Sequence, residues 1–201
     1  MPYLDQANIA CGAYAGGPEL MRFIVALARQ HDVSIGAHPG YPDREHFGRE
    51  SLSATPDQIQ AWVTEQVERL AAMSPVDYVK PHGALYHDML QQPAVMEAIR
   101  RGIGELPLMS PAPFAEGEGW SEAFADRRYQ ADGTLVLRSE AGAVLNETET
   151  LAQVRQLISD GSVTTDSGGT LALEATTLCV HGDNPAGVRV LHAIREILDA
   201  G

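Results

Sequence analysis

The chain has 201 residues, 44% of them hydrophobic, and a formal net charge of −13. That is enough for one domain with a sizeable core, and the acidic balance, with no basic stripe, argues against DNA or RNA as a partner. No apolar stretch approaches the roughly 18 residues that a membrane-spanning helix needs, and Met1-Pro2-Tyr3-Leu4-Asp5 lacks the basic flank and apolar centre of a signal peptide.

The two cysteines, Cys11 and Cys179, sit inside or at the end of apolar runs. That fits buried thiols in a reducing cytosol better than a disulfide framework, with a reactive cysteine as the lesser alternative. The expected location is cytoplasmic.

In chain order, Asn8–Cys11 reads as a strand stopped by Gly12. Pro18 then opens a helix reaching about Gln30, with Leu20, Phe23, Ile24, Leu27 and Ala28 on one face. The apolar run Val33–Ala37 leads into His38, where Pro39, Gly40 and Pro42 forbid continuation. Thr55-Pro56-Asp57-Gln58 is a capping-box start, and its helix presents Ile59, Trp62, Val63, Val67 and Leu70. Val76–Lys80 is a strand leading into Pro81-His82-Gly83, and a helical stretch follows with Val95, Met96 and Ile99. Leu106–Met109 is a strand weakened by Pro107.

Pro113–Trp120 reads as either a short helix or a loop, and Glu122–Asp126 as a strand ending in an acid. Thr134–Arg138 is expected to be a strand after an Asp132-Gly133 turn. Thr148–Asp160 is a helix stopped by Gly161, and Ser162–Leu173 a hairpin around Asp166-Ser167-Gly168-Gly169. Leu178–Val180 leads into His181-Gly182-Asp183, and a final helix from Pro185 carries Val188, Leu191, Ile194 and Leu198. Strand and helix in alternation predict parallel βαβ units in one α/β domain with a barrel-like sheet. In such folds the working face lies at the carboxyl ends of the strands.

His38, His82 and His181 all fall at that position. A single strand-end histidine is usually structural, but three in one topological place point to metal ligation or proton transfer. His181 also reads as part of a turn and helix cap. Lys80 interrupts an apolar strand two residues before His82, so alternation puts both on one side. It is either a charge neutraliser for a carboxylate or oxyanion, or half of a buried ion pair with Asp43, Asp126 or Asp183. Asp43 and Asp126 follow strand ends as base, metal ligand or turn former. Gly16-Gly17 before a helix is a weak anion-binding signal. No P-loop and no G-x-S-x-G elbow occur.

Several blocks together resemble one family. Ala7–Gly12, Ile35–Asp43 (I-G-A-H-P-G-Y-P-D), Val79–Tyr86 (V-K-P-H-G-A-L-Y), Phe124–Tyr129 with Asp132-Gly133, and Leu178–Pro185 (L-C-V-H-G-D-N-P) are similar to the LamB/YcsF family, the A-type subunits of 5-oxoprolinase. The resemblance implies an irregular (β/α) barrel of the glycoside hydrolase/deacetylase type, with its first strand missing. It implies a cytoplasmic hydrolase component that opens the lactam of 5-oxo-L-proline to L-glutamate. ATP would be a co-substrate handled through a complex with two further subunits, of B and C type, with a divalent metal and a homo-oligomer left open. By this resemblance His38, Lys80, His82 and Asp126 are the expected catalytic residues. Asn8, Cys11, Tyr41, Asp43, Tyr86, Arg138, His181 and Asp183 are expected to bind substrate, and His38 and His82 to hold any metal.

Two departures stand out. The family's opening D-x-N-x-D-x-G-E type segment does not precede Met1, and where the family reads A-C-G-F-H-A-G-D-P this chain has Tyr14 for the histidine and Gly17 for the aspartate. Two alternatives follow: a stand-alone metal-dependent amidase or deacetylase, and a catalytically impaired binding or assembly subunit.

Overall fold

The computed structural model describes residues 1–114 and 119–200. They divide into two compact units, one built on Met1–Met109 and one on 120–200. Of the stretch Pro113–Trp120 left as helix or loop, 115–118 lie outside the described residues, Pro113 and Phe114 close a 3-10 turn, and Gly119 and Trp120 belong to a strand.

In the first unit, β1 (Gln6–Ala10), β2 (Ser34–His38), β3 (Tyr78–Val79) and the first two residues of β4 (Leu108–Pro111) are successive parallel neighbours. The register pairs Ala10 with His38 and Ala37 with Val79, so the β2 and β3 ends come out side by side. Helix α1 (Pro18–Gln30) joins β1 to β2, α2 (Pro56–Ala71) joins β2 to β3, and α3 (Gly83–Gln91) and α4 (Pro93–Ile103) together join β3 to β4. Parallel strands need such crossovers, which cover the apolar sheet residues. The capping box is present: Thr55 Oγ1 accepts from the Gln58 amide while the Gln58 side chain accepts from the Thr55 amide. Ile59, Val63, Val67 and Leu70 are buried in α2 as their spacing requires, and α2 packs on α4.

Three expectations need correction here. In α1 the buried residues are Met21, Val25 and Ala28, whereas Leu20 and Phe23 face solvent. Eight of its residues, Pro18 apart, are apolar, so the apolar arc is wider than the buried stripe and periodicity alone cannot place it. The strand before His82 shrinks to Tyr78–Val79, and Gly83 begins α3, a helix that no side-chain cap announces.

In the second unit, β5 (Gly119–Phe124) pairs in parallel with β8 (Thr177–Cys179) through Phe124 and Cys179. Helix α5 (Glu147–Asp160) is capped by Asn146 and ends at Gly161 in the left-handed conformation, as expected. The hairpin is present as antiparallel β6 (Ser162–Thr164) and β7 (Thr170–Ala172). Ala125, Val154, Val190 and Ile194 form a core with Leu151, Leu178 and Val180 packed against it.

Thr134–Arg138 is not a strand: an isolated bridge joins Tyr129 to Leu135, and Leu137 is exposed. The Asp132-Gly133 turn before it does form. The final helix is two, α6 (Pro185–Arg189) and α7 (Leu191–Ala200), broken at Val190, whose N–H turns back to Gly187 and Val188. Among the described residues no helix is long and apolar enough to cross a membrane.

Candidate functional site

In the first unit the ends of β2 and β3 bring His38 and His82 together, with His82 Nδ1 3.1 Å from His38 Nε2. The outer nitrogens are both engaged by carbonyl oxygens: His38 Nδ1 lies 2.6 Å from the Lys80 carbonyl and His82 Nε2 2.9 Å from that of Phe47. A carbonyl only accepts, so each outer nitrogen must carry hydrogen. Two neutral rings so oriented would then face each other lone pair to lone pair. The 3.1 Å contact is attractive only with one cation between them, and a proton is sufficient. The backbone thus brings the two imidazoles together as a pair.

Tyr14 completes this cluster. Its ring stacks on His82 at 3.9 Å between centroids and 4° between planes, and its hydroxyl donates to the His38 carbonyl at 3.1 Å. Phe47 meets both rings edge-on. The loop bearing Tyr14 is clamped by two arginines: Arg69 donates to the Cys11 carbonyl, and Arg44 to those of Gly12 and Gly16. Room for the ring comes from Gly40, where a Cβ would fall 2.7 Å from Tyr14 Cδ1. Burial pushes the Tyr14 phenol far above its ordinary value, so the hydroxyl serves as a hydrogen-bond donor and not as a charge. Tyr14→Phe is expected to keep the stack and lose this one bond. The urea midpoint should then report a loss of about 1 kcal/mol.

The other expected residues of this unit take varied places. Lys80 is buried, with its ammonium 5.8 Å from the centre of the Tyr86 ring. Tyr41 is buried and donates to Asp88, which also accepts from Ser51, so its hydroxyl is engaged in the scaffold. Asp43 Oδ1 accepts from the His46 backbone N–H and lies 3.2 Å from its ring Nδ1, whereas the buried Oδ2 makes no hydrogen bond. Asn8 lies exposed in β1. Cys11 is buried, and its thiol donates to the Ile9 carbonyl. Burial pushes that thiol up to about 11, the wrong direction for a nucleophile.

In the second unit, the segment after β5 carries Asp126. Gln153 of α5 donates to the Phe124, Ala125 and Arg127 carbonyls, and Arg127 reaches the Ala143 and Val136 carbonyls. Asp126 is thereby held fully buried, 2.8 Å from the Nδ1 of His181 just beyond β8. Its second oxygen accepts from Asn184 Nδ2 at 2.9 Å and from the His181 amide at 3.2 Å. Burial would raise the Asp126 carboxyl, but the hydrogen bonds and charge of His181, with the bond from Asn184, outweigh it and hold the group below its ordinary value. Arg138 and Asp183 face each other at 3.5 Å.

Sequence reasoning missed Phe47 and treated Asn184 only as part of a cap. Phe47 acts through a backbone carbonyl, which has no sequence signature. Asn184 does cap α6, accepting from Ala186 through Oδ1, but its other end serves Asp126. Among the described residues no group of three or more His, Cys, Asp or Glu is arranged to hold a metal ion. The two facing nitrogens of His38 and His82 are fewer than the protein ligands of zinc centres.

Comparison with known proteins agrees with the sequence blocks. The LamB/YcsF family profile matches residues 1–201. A protein of Vibrio campbellii, named as the A subunit of 5-oxoprolinase, is 45% identical, over 100% of this chain and 88% of the relative. One of Chromohalobacter salexigens with the same name is 44% identical, over 99% and 88%. The crystal structure of a lactam utilization protein from Thermus thermophilus superposes with a TM-score of 0.89 at 33% identity, covering 99% of this chain and 87% of that one. Such a match extends over both units and shows a shared α/β fold. The chain belongs to the LamB/YcsF family.

Proposed function

We propose that this chain is the A-type component of an ATP-dependent 5-oxoprolinase, opening the lactam of 5-oxo-L-proline to L-glutamate together with B- and C-type subunits. The observation that carries this reading is the match of the entire chain to relatives named as 5-oxoprolinase A subunits, at 44–45% identity. The local chemistry supports it. A lactam carbonyl is a poor electrophile, so opening it requires activation, stabilisation of charge on oxygen, and delivery of a proton to the leaving nitrogen. The His38–His82 pair, with one cation shared between its facing nitrogens, is suited to activating the carbonyl through its oxygen. Lys80, buried beside Tyr86, offers a cation in a low-dielectric setting, where it acts on charge more strongly than in water.

Mixing the chain with its partner subunits, ATP and 5-oxoproline should yield glutamate well above a partner-only control. No excess over that control sinks the reading. Turnover by the chain alone would instead favour the stand-alone amidase, and a chelator arm tests the metal expectation. In the active mixture, Lys80→Met is expected to lower kcat about 10²-fold or more. Unchanged turnover in a folded Lys80→Met protein would leave Lys80 a scaffold residue.

A further inference from the structure

Asp126 and His181 make an arrangement that family membership does not explain. A buried carboxylate is costly, by several kcal/mol for an unpaired ion, yet here it is held by three donors, two of them from His181 itself. Both carboxylate oxygens therefore accept, and His181 Nδ1 must carry the hydrogen, so in the neutral ring the lone pair lies on Nε2. The ring is fixed in plane by stacking on Phe124, at 5.4 Å between centroids and 14° between planes. Its side chain is 23% exposed while that of Asp126 is 0% exposed, so the dyad is buried at the carboxylate and open at the ring.

The charged neighbours are otherwise engaged. Arg127 is bound by two carbonyls, Asp183 faces Arg138, and on the helices Glu149 of α5 pairs with Arg128 and Arg189 of α6 with Glu147. Cys179, two residues before His181, is the remaining titratable group on β8.

We propose that Asp126 and His181 form a general base and acid dyad acting on an amide, with Nε2 of His181 as the working atom and Asn184 as a positioning residue. This deepens the 5-oxoprolinase reading and rests on it for the substrate class. A water proton moves to Nε2 as the water oxygen bonds to the lactam carbonyl carbon, and the carbonyl π pair moves onto its oxygen. That pair then re-forms the double bond, the C–N bond breaks, and the proton on Nε2 passes to the leaving nitrogen. Asp126 holds the imidazolium between the two transfers without itself taking the proton.

Two measurements test the dyad. In the reconstituted complex, His181→Gln should lower kcat about 10²- to 10⁴-fold, leave KM within a few-fold, and abolish the ascending limb of the pH–rate profile. Asp126→Asn should lower kcat similarly, because an amide facing Nδ1 favours the other tautomer. In the isolated chain, ¹⁵N NMR of labelled histidine should find His181 as the Nδ1–H tautomer and Asp126→Asn should change that state. Wild-type kcat with an intact ascending limb in folded His181→Gln would overturn the proposal, as would an Nε2–H tautomer in the wild type. Absence of glutamate with the wild-type chain would remove the 5-oxoprolinase reading, and the tautomer would still decide the dyad.

Discussion

Gly83→Ala is expected to destabilise the chain by about 2–4 kcal/mol. Gly83 has φ of +55°, and a Cβ there would lie 2.4 Å from the Gly48 carbonyl oxygen. The positive φ costs an alanine about 1 kcal/mol, and forcing apart a rigid backbone contact adds about 1–3 kcal/mol. The contact cannot relax cheaply, because that same carbonyl accepts the Ala84 N–H at 3.0 Å and ties the 48 loop to the start of α3. Gly161→Ala supplies the control. Gly161 has φ of +60°, but a Cβ would meet nothing within 4 Å, so only the backbone cost of about 1 kcal/mol should appear. Urea denaturation of both variants separates the contributions. Equal midpoints would mean that the Gly48 contact yields without cost. Because His82 immediately precedes Gly83, the same substitution should also lower turnover by displacing the imidazole.

Gly83 also illustrates why part of the fold was legible and part was not. Helices with chemical starts and stops were visible: Pro18, the Thr55–Gln58 box and Gly161 all mark ends found in the structure. The start of α3 at His82-Gly83 has no side-chain cap, and glycine at a first helical position carries no such mark. The break between α6 and α7 was hidden differently. Val188, Leu191, Ile194 and Leu198 keep one helical period across it, while Val190 bends the backbone without proline or glycine. At Thr134–Arg138 the local β preference is real, but only an isolated bridge at Leu135 answers it, and tertiary context overrides propensity.

For the candidate site, the strand-end position of the histidines was readable because glycine and proline punctuation fixes where a strand stops. Their pairing was not. It depends on register, Ala10 beside His38 and Ala37 beside Val79, and on two carbonyl oxygens that any residue type could have supplied. The role of Tyr14 was equally hidden. Its aromatic ring was visible only as a departure from a family pattern, and the stack on His82 arises from a loop that Arg44 and Arg69 clamp from distant positions.

The histidine pair leads to a prediction on activity. His38→Ala or His82→Ala, each in the complex with partner subunits, is expected to lower kcat about 10²- to 10⁴-fold. The sharper expectation concerns the double variant. With Lys80 and Phe47 carbonyls fixing the outer hydrogens, the inner nitrogens share a single cation, and neither ring can hold it alone in the same geometry. Removing either ring therefore removes the function of both, so the double variant should be no more than a few-fold slower than the slower single one. Groups that act as a unit show such non-additivity, whereas independent groups would multiply their losses. Folding has to be measured alongside, because His82→Ala also removes the stack under Tyr14, worth about 0.5–1.5 kcal/mol. Multiplicative losses in folded variants would show two separate histidines that happen to be neighbours. Near-equal losses in the single and double variants would establish that β2 and β3 deliver one composite proton carrier.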